Sequence, residues 1–99
     1  MAGIGAFLKN VYVNATGQAV PLGANVRVRG YMLYNPGVPG SMILRSGGAS
    51  GTIVYQVDTM GAANLRPFWA GEGYRFTDGI HVTLSPAGST LSLDVDGLA

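Results

Sequence analysis

The chain has 99 residues, a net charge of +1, 47% hydrophobic and 11% charged residues, 16 glycines, one histidine and no cysteine. This suits one domain, excludes a disordered chain, which would be poor in apolar residues and rich in charge, and rules out a disulfide framework or thiolate metal site. The charge balance gives no general attraction for nucleic acid or anionic membrane, and no apolar run approaches the roughly 18 residues that span a bilayer.

A domain of this size buries roughly 60–65% of the surface of its unfolded chain. Glycine loses more backbone entropy on folding than any other residue. Little stability is left over, and a surface so poor in charge is expected to be covered by something. A homo-oligomer or larger assembly follows as the expectation.

In chain order, MAGIGAFLKN resembles the start of a membrane-active peptide or a short signal sequence. Lys9 interrupts its apolar run, however, and no basic segment precedes it. The VYVN that follows is β-branched and aromatic, which favours a strand. Residues 1–13 therefore read as an N-terminal arm or edge strand of a single domain, 1–99. From there the dominant period is two. Val26, Val28 and Met32 are placed on one face of a strand, with Arg27 and Arg29 on the other. Ile53, Tyr55 and Val57 alternate with Val54, Gln56 and Asp58. Ile80, Val82 and Leu84 alternate with His81, Thr83 and Ser85. Leu91, Leu93 and Val95 alternate with Ser92, Asp94 and Asp96. Such patterns mark half-buried antiparallel strands.

Turn residues punctuate the pattern at NATGQ, NPGVPG, SGGASG, MGAAN, AGEG, TDG and SPAGS, a spacing that points to a sandwich or barrel. Strands are expected over 6–13, 18–22, 25–34, 41–46, 52–59, 66–69, 73–76, 79–85 and 90–96. Pro21 and Pro67 place the second and sixth on sheet edges, because proline cannot donate to a ladder. Asp78-Gly79 and Pro86-Ala-Gly88-Ser read as hairpin turns, so the last three strands are expected to form a meander.

SGGASG, Ser46 to Gly51, invites a phosphate-loop reading. A Walker loop needs a lysine and then Ser or Thr after its last glycine, with a helix following. Here Thr52 follows directly, and then an alternating strand. Ser50 is not in G-x-S-x-G either, so a hairpin tip is expected. His81 is the only histidine, and neither a triad nor a metal site can be built from it alone. A surface or interface role is expected. Asp94 and Asp96 form a polar strip, solvated or facing a partner. Arg27 and Arg29 are its basic counterpart. They are either solvated or positioned to grip carboxylates or a nucleic-acid backbone, and they could pair with the Asp strip within or between subunits. RPFWAGEGYRF concentrates Phe68, Trp69, Tyr74 and Phe76, either as core or interface anchors or as a sugar-stacking platform.

From Gly30 to Gly97 runs GYMLYNPGVPGSMILRSGGASGTIVYQVDT, a proline-aromatic edge, and GEGYRFTDGIHVTLSPAGSTLSLDV. The pattern G-x-R-F-x-x-G-I-x-V falls on Gly73, Arg75, Phe76, Gly79, Ile80 and Val82. This arrangement resembles a group of small virion proteins of tailed bacteriophages, over about two thirds of the chain. Residues 1–24 have no counterpart in it. The resemblance implies a small jelly-roll or β-sandwich virion component with no catalytic residues to carry over.

The expectation is thus an all-β, antiparallel, jelly-roll-like sandwich of about eight strands. The expected function is structural: a phage capsid decoration or cement protein that bridges major capsid subunits in the virion. A head-tail connector, tail or baseplate component is the first alternative, and a carbohydrate-binding β-sandwich the second. The expected partners are the major capsid protein or other virion proteins, and further copies of the chain, with a trimer favoured. No catalytic, cofactor-binding or metal residue is expected, and no nucleic acid, membrane or small-molecule substrate. Phe7, Leu8, Arg27, Arg29, Trp69 and Tyr74 are the interface candidates.

Overall fold

The computed structural model describes residues 8–67, 69, 73–85 and 87–97, with Leu8 described by its backbone alone. Among the described residues nine strands follow one another: β1 Leu8–Val13, β2 Gly17–Val20, β3 Val26–Asn35, β4 Gly40–Ser46, β5 Thr52–Thr59, β6 Ala63–Leu65, β7 Tyr74–Phe76, β8 Ile80–Ser85 and β9 Thr90–Asp96. They form two antiparallel sheets. One has the order β1-β9-β3, with β6 and β7 sharing the far edge of β3, and the other has the order β2-β8-β4-β5.

The pairing is nested. β4 pairs with its sequence neighbour β5, β3 with β6 and β7, β2 with β8, and β1 with β9. The chain is doubled back at residues 47–51. The doubled ribbon is then rolled so that β9 also lies on β3 and β8 on β4. This winding is that of a jelly roll. The β6–β7 edge is one strand position interrupted in the middle, which brings nine strands to eight positions.

The winding corrects two expectations. β7, β8 and β9 do not form a meander, because β7 and β9 lie in one sheet and β8 in the other. Asp78-Gly79 and the β8–β9 connection therefore cross between sheets. Their residue types signal a sharp change of direction but not which sheet the chain enters next. Nor do the described residues of 66–69 form a strand, since β6 ends at Leu65. Pro67 and Trp69 still lie along β3: the Tyr31 N–H donates to the Pro67 carbonyl at 3.1 Å, and the Trp69 N–H donates to the Arg29 carbonyl at 2.7 Å. Pro67 has no N–H to return, so regular pairing lapses there. The edge placement of both proline-bearing segments holds. The 47–51 connection joins paired strands, so SGGASG is a hairpin tip as expected.

Between the sheets lies one core. Val26, Val28, Tyr31 and Leu33 of β3 and Leu91, Leu93 and Val95 of β9 face Val20, Met42, Leu44, Ile80 and Val82 of the other sheet, with Phe76 fully enclosed. Each such side chain contributes about 1.5–3 kcal/mol relative to exposure. Irregularities in register decide which residues join it. Between Val28 and Gly30 the register of β3 shifts against β9, and Arg29 is the extra residue. A bulge puts two residues opposite one and reverses the alternation beyond it. Met32, expected on the core face with Val26 and Val28, is therefore exposed, and Tyr31 and Leu33 point inward. A similar shift opposite Leu44 and Arg45 exposes Ile53, whereas Tyr55 and Val57 pack on the core.

The two ends of the sandwich are tied differently. At the β3–β4 end, the buried Asn35 side-chain amide donates to Thr59 Oγ1, and its Oδ1 accepts the Gly37 N–H at 3.0 Å. At the other end three connections are knitted together. The Gly23 N–H donates to Asp78 Oδ1 at 2.6 Å, the Gly79 N–H to the Ala24 carbonyl at 2.7 Å, and the Thr77 N–H to Ser46 Oγ at 3.2 Å. The hairpin tip is fixed as well. Gln18 Nε2 donates to the Gly47 carbonyl at 3.1 Å, Arg45 Nη1 to the Gly51 carbonyl at 3.3 Å, and the Gly51 N–H to the Gly48 carbonyl at 2.9 Å.

Candidate functional site

The outward face of the β1-β9-β3 sheet is set by register. With Leu91, Leu93 and Val95 turned inward, Thr90, Ser92, Asp94 and Asp96 of β9 face out. Cross-strand partners share a face, so the pairings carry this outward side to Asn10 and Tyr12 of β1 and to Arg27, Met32 and Tyr34 of β3. Beyond β3 they carry it to Arg75 of β7 and Asn64 of β6. Two zones result, one charged and one largely apolar.

The charged zone lies at the start of β3. Arg27 stands between Asp96 on one neighbouring strand and Arg75 on the other. Arg29 Nη1 is 3.6 Å from Asp96 Oδ2. Arg75 Nη1 donates to Asn25 Oδ1 at 2.8 Å, and Asn10 Nδ2 donates to Asp94 Oδ1 at 3.4 Å. The acidic and basic strips of the sequence are thus neighbouring columns on one sheet, and they are joined by an ion pair within the chain. Half-exposed pairs of this kind contribute about 0.2–1 kcal/mol, so they set the electrostatic pattern of the face more than its stability.

The apolar zone lies toward the end of β3. Tyr12, Met32 and Tyr34 are 62%, 48% and 43% exposed. They line an open groove of about 470 Å³ with Leu65, Arg66 and Ser92. None of these three was a sequence candidate. For Met32 and Tyr34 the signal is the β-bulge at Arg29, which exchanges the two faces of β3 and which no residue type announces, and Tyr12 faces out through its pairing with Ser92.

Trp69 and Tyr74 are placed elsewhere. Both pack against the core, where their rings meet edge to face with centroids 4.7 Å apart. Tyr55 of the opposite sheet lies 5.3 Å from Trp69 and 5.1 Å from Tyr74, and Tyr31 lies 5.7 Å from Trp69. This four-ring cluster joins the sheets beside the interrupted edge of β3. Two of its polar tips are paired with each other, the Tyr31 and Tyr55 hydroxyls being 3.0 Å apart. Of the other interface candidates, Phe7 lies outside the described residues, and Leu8 contributes a backbone position opposite Asp96. Phe68 also lies outside the described residues.

Burial, and then the hydrogen bond with Tyr55, push the Tyr31 hydroxyl well above the ordinary tyrosine range. A folded-state value raised in this way stabilises the fold fully below the unfolded value of about 10 and loses that contribution as pH rises beyond it. Of the five tyrosines, one is therefore expected to stay un-ionised in an ultraviolet titration until the protein unfolds. The decline in stability above about pH 10 should be shallower in Tyr31→Phe. Five tyrosines titrating together in the folded protein would overturn this.

His81 lies half-buried on β8, with Gln18 and Arg45 as its cross-strand neighbours. Among the described residues no group of three or more His, Cys, Asp or Glu side chains could hold a metal ion. The geometry defines a class, an all-β jelly-roll-like sandwich with one two-zoned outer sheet face. No protein-family profile matches the chain, and neither a curated protein nor a solved structure shows significant similarity to it.

Proposed function

We propose that the chain is a structural component of a tailed-bacteriophage virion, a capsid decoration or cement protein that bridges major capsid subunits as a homo-oligomer. The observation that carries this reading is the outer face of the β1-β9-β3 sheet. It joins exposed Tyr12, Met32 and Tyr34 to adjoining acidic and basic columns, on a scaffold whose ends are cross-braced by loop hydrogen bonds. A rigid sheet face needs little reordering when it binds a further copy of the chain, which lowers the cost of association and leaves the sheet edges for the capsid contact. Jelly rolls also serve in viral capsids, and the strand-and-turn resemblance described above points the same way. Many modest contacts on one shell would add through multivalency to a large gain in particle stability.

The sugar-binding reading draws less support, because Trp69 and Tyr74 stack on each other and on Tyr55. The test is copy number and position in purified particles, by quantitative mass spectrometry and labelled-particle imaging. Hundreds of copies spread over the head are expected. A handful confined to a vertex or the tail would overturn the cement reading in favour of a connector, tail or baseplate component.

A further inference from the structure

We propose that the outer face of the β1-β9-β3 sheet is a contact between two copies of this chain. They meet face to face about a two-fold axis that runs along the strands between β9 and β3.

The argument starts from the charge pattern. Asp94 and Asp96 form a column on β9, and Arg27 lies directly across from Asp96 on β3, with Arg75 beyond it. A two-fold along the strands leaves each end of the sheet facing the same end of the other copy, while it exchanges left and right. β9 of one copy then lies over β3 of its partner. Asp96 then meets the partner's Arg27 twice, once in each direction, as an isologous contact requires, while Asp94 lies over the Gly30 position. The same operation lays the apolar zone on itself, bringing Met32 over the small Ser92 position and Tyr34 over Thr90. A two-fold perpendicular to the strands would instead lay the apolar zone on the charged one. The symmetry that fits both zones is therefore a single one, and it gives the aligned sheet-on-sheet packing usual in sandwiches, with faces about 10 Å apart. The in-chain pair between Arg29 and Asp96 is compatible with this, since a carboxylate has room for a second cationic neighbour.

The size of the face sets the strength of the contact. Four strand positions by about six residues give roughly 19 Å by 20 Å at the usual strand spacing and rise. That is on the order of 400 Å² per copy in projection, before side-chain relief, against about 800 Å² per partner in a standard stable complex. A weak, reversible dimer is expected, and a permanent one is not. This contact does not depend on the virion reading. Its failure would leave the copy-number test of that reading unaffected.

The test is analytical ultracentrifugation of the purified chain from low-micromolar to millimolar concentration, with circular dichroism to verify folding of each variant. The chain itself is expected to show a monomer–dimer equilibrium. Met32→Lys, at an exposed position, should weaken it at least tenfold. Arg27→Asp and Asp96→Arg, each alone, should abolish it, because each places like charges opposite one another in its own homodimer. An equimolar mixture of the two variants should dimerise again, since every facing pair is then of opposite sign. A structural role within one chain would not produce that rescue. A chain that stays monomeric at millimolar concentration, that forms a trimer instead, or whose two charge variants fail to rescue each other would overturn the proposal. If either charge variant proves unfolded, Met32→Lys decides: dimerisation unchanged by it would overturn the proposal equally.

Discussion

Gly79→Ala is expected to cost about 2–5 kcal/mol, as a left-handed backbone strain and an overpacking strain combined. Gly79 has φ +76° and sits where the chain leaves β7 in one sheet and enters β8 in the other. A methyl group there would press into the Pro21 carbonyl oxygen and stand 2.6 Å from the Val20 carbonyl oxygen. Neither atom can swing away, because both belong to the backbone at the end of β2. The Gly79 N–H is meanwhile held by the Ala24 carbonyl. Relief would have to come from separating the β7–β8 crossing from the β2–β3 connection, which is the brace at that end of the sandwich. Since small domains hold only about 5–15 kcal/mol in all, the variant should unfold at a much lower urea concentration with a similar slope. Gly17→Ala is the control. Its added carbon meets nothing within 4 Å, and its urea midpoint should stay within error of the parent. Equal midpoints for the two variants would sink the account of the crossing.

Trp69→Ala is the second large effect, expected at about 3 kcal/mol, the lower end for truncating a large aromatic because the ring is only partly enclosed. The indole touches Tyr31, Tyr55 and Tyr74. Its loss would remove edge-to-face pairs worth about 0.5–1.5 kcal/mol each beyond area and open the seam between the sheets where the edge of β3 is interrupted. Thermal unfolding followed by circular dichroism reads the loss, and Trp69→Phe should recover more than half of it. The result separates two roles that the sequence left open. A packing residue lowers the melting temperature when truncated, whereas a sugar platform loses glycan binding at an unchanged melting temperature. The second pattern would overturn the placement of this ring as a brace.

How far the sequence could be read depends on the length of uninterrupted alternation. In β8 and β9 the period of two runs unbroken, and Ile80, Val82, Leu91, Leu93 and Val95 are all buried as their spacing implies. In β3 and β5 the register shifts in mid-strand, and Met32 and Ile53 change sides. The residues at the shift, Arg29 and Val54, carry no local mark, because a bulge is settled by which strands lie alongside. The same holds for the crossings. Asp78-Gly79 announces a reversal with positive φ, yet a hairpin and a sheet-to-sheet passage use the same residue types. The pairing of Arg29 with Asp96 needed the knowledge that β3 and β9 are neighbours, although 66 residues separate the two side chains (96 − 29 − 1). By contrast, SGGASG read correctly as a tip, because its two flanking strands pair directly.

The nested pairing has a consequence for the entropy of closing the chain. Joining β1 to β9 from a fully open chain would close a loop of nearly the whole domain. The nesting divides that closure into steps. Once β4 lies on β5, bringing β3 against β6 leaves only the short 36–39 and 60–62 connections to be closed. Each later pair likewise inherits the loop already shut inside it. Closure cost rises with the logarithm of loop length, about 0.6 kcal/mol per doubling for a flexible loop, so a sequence of short closures keeps every increment small. Leu8 and Asp96, at opposite ends of the described chain, can thus become direct neighbours without any single step having to search the full length of the polypeptide.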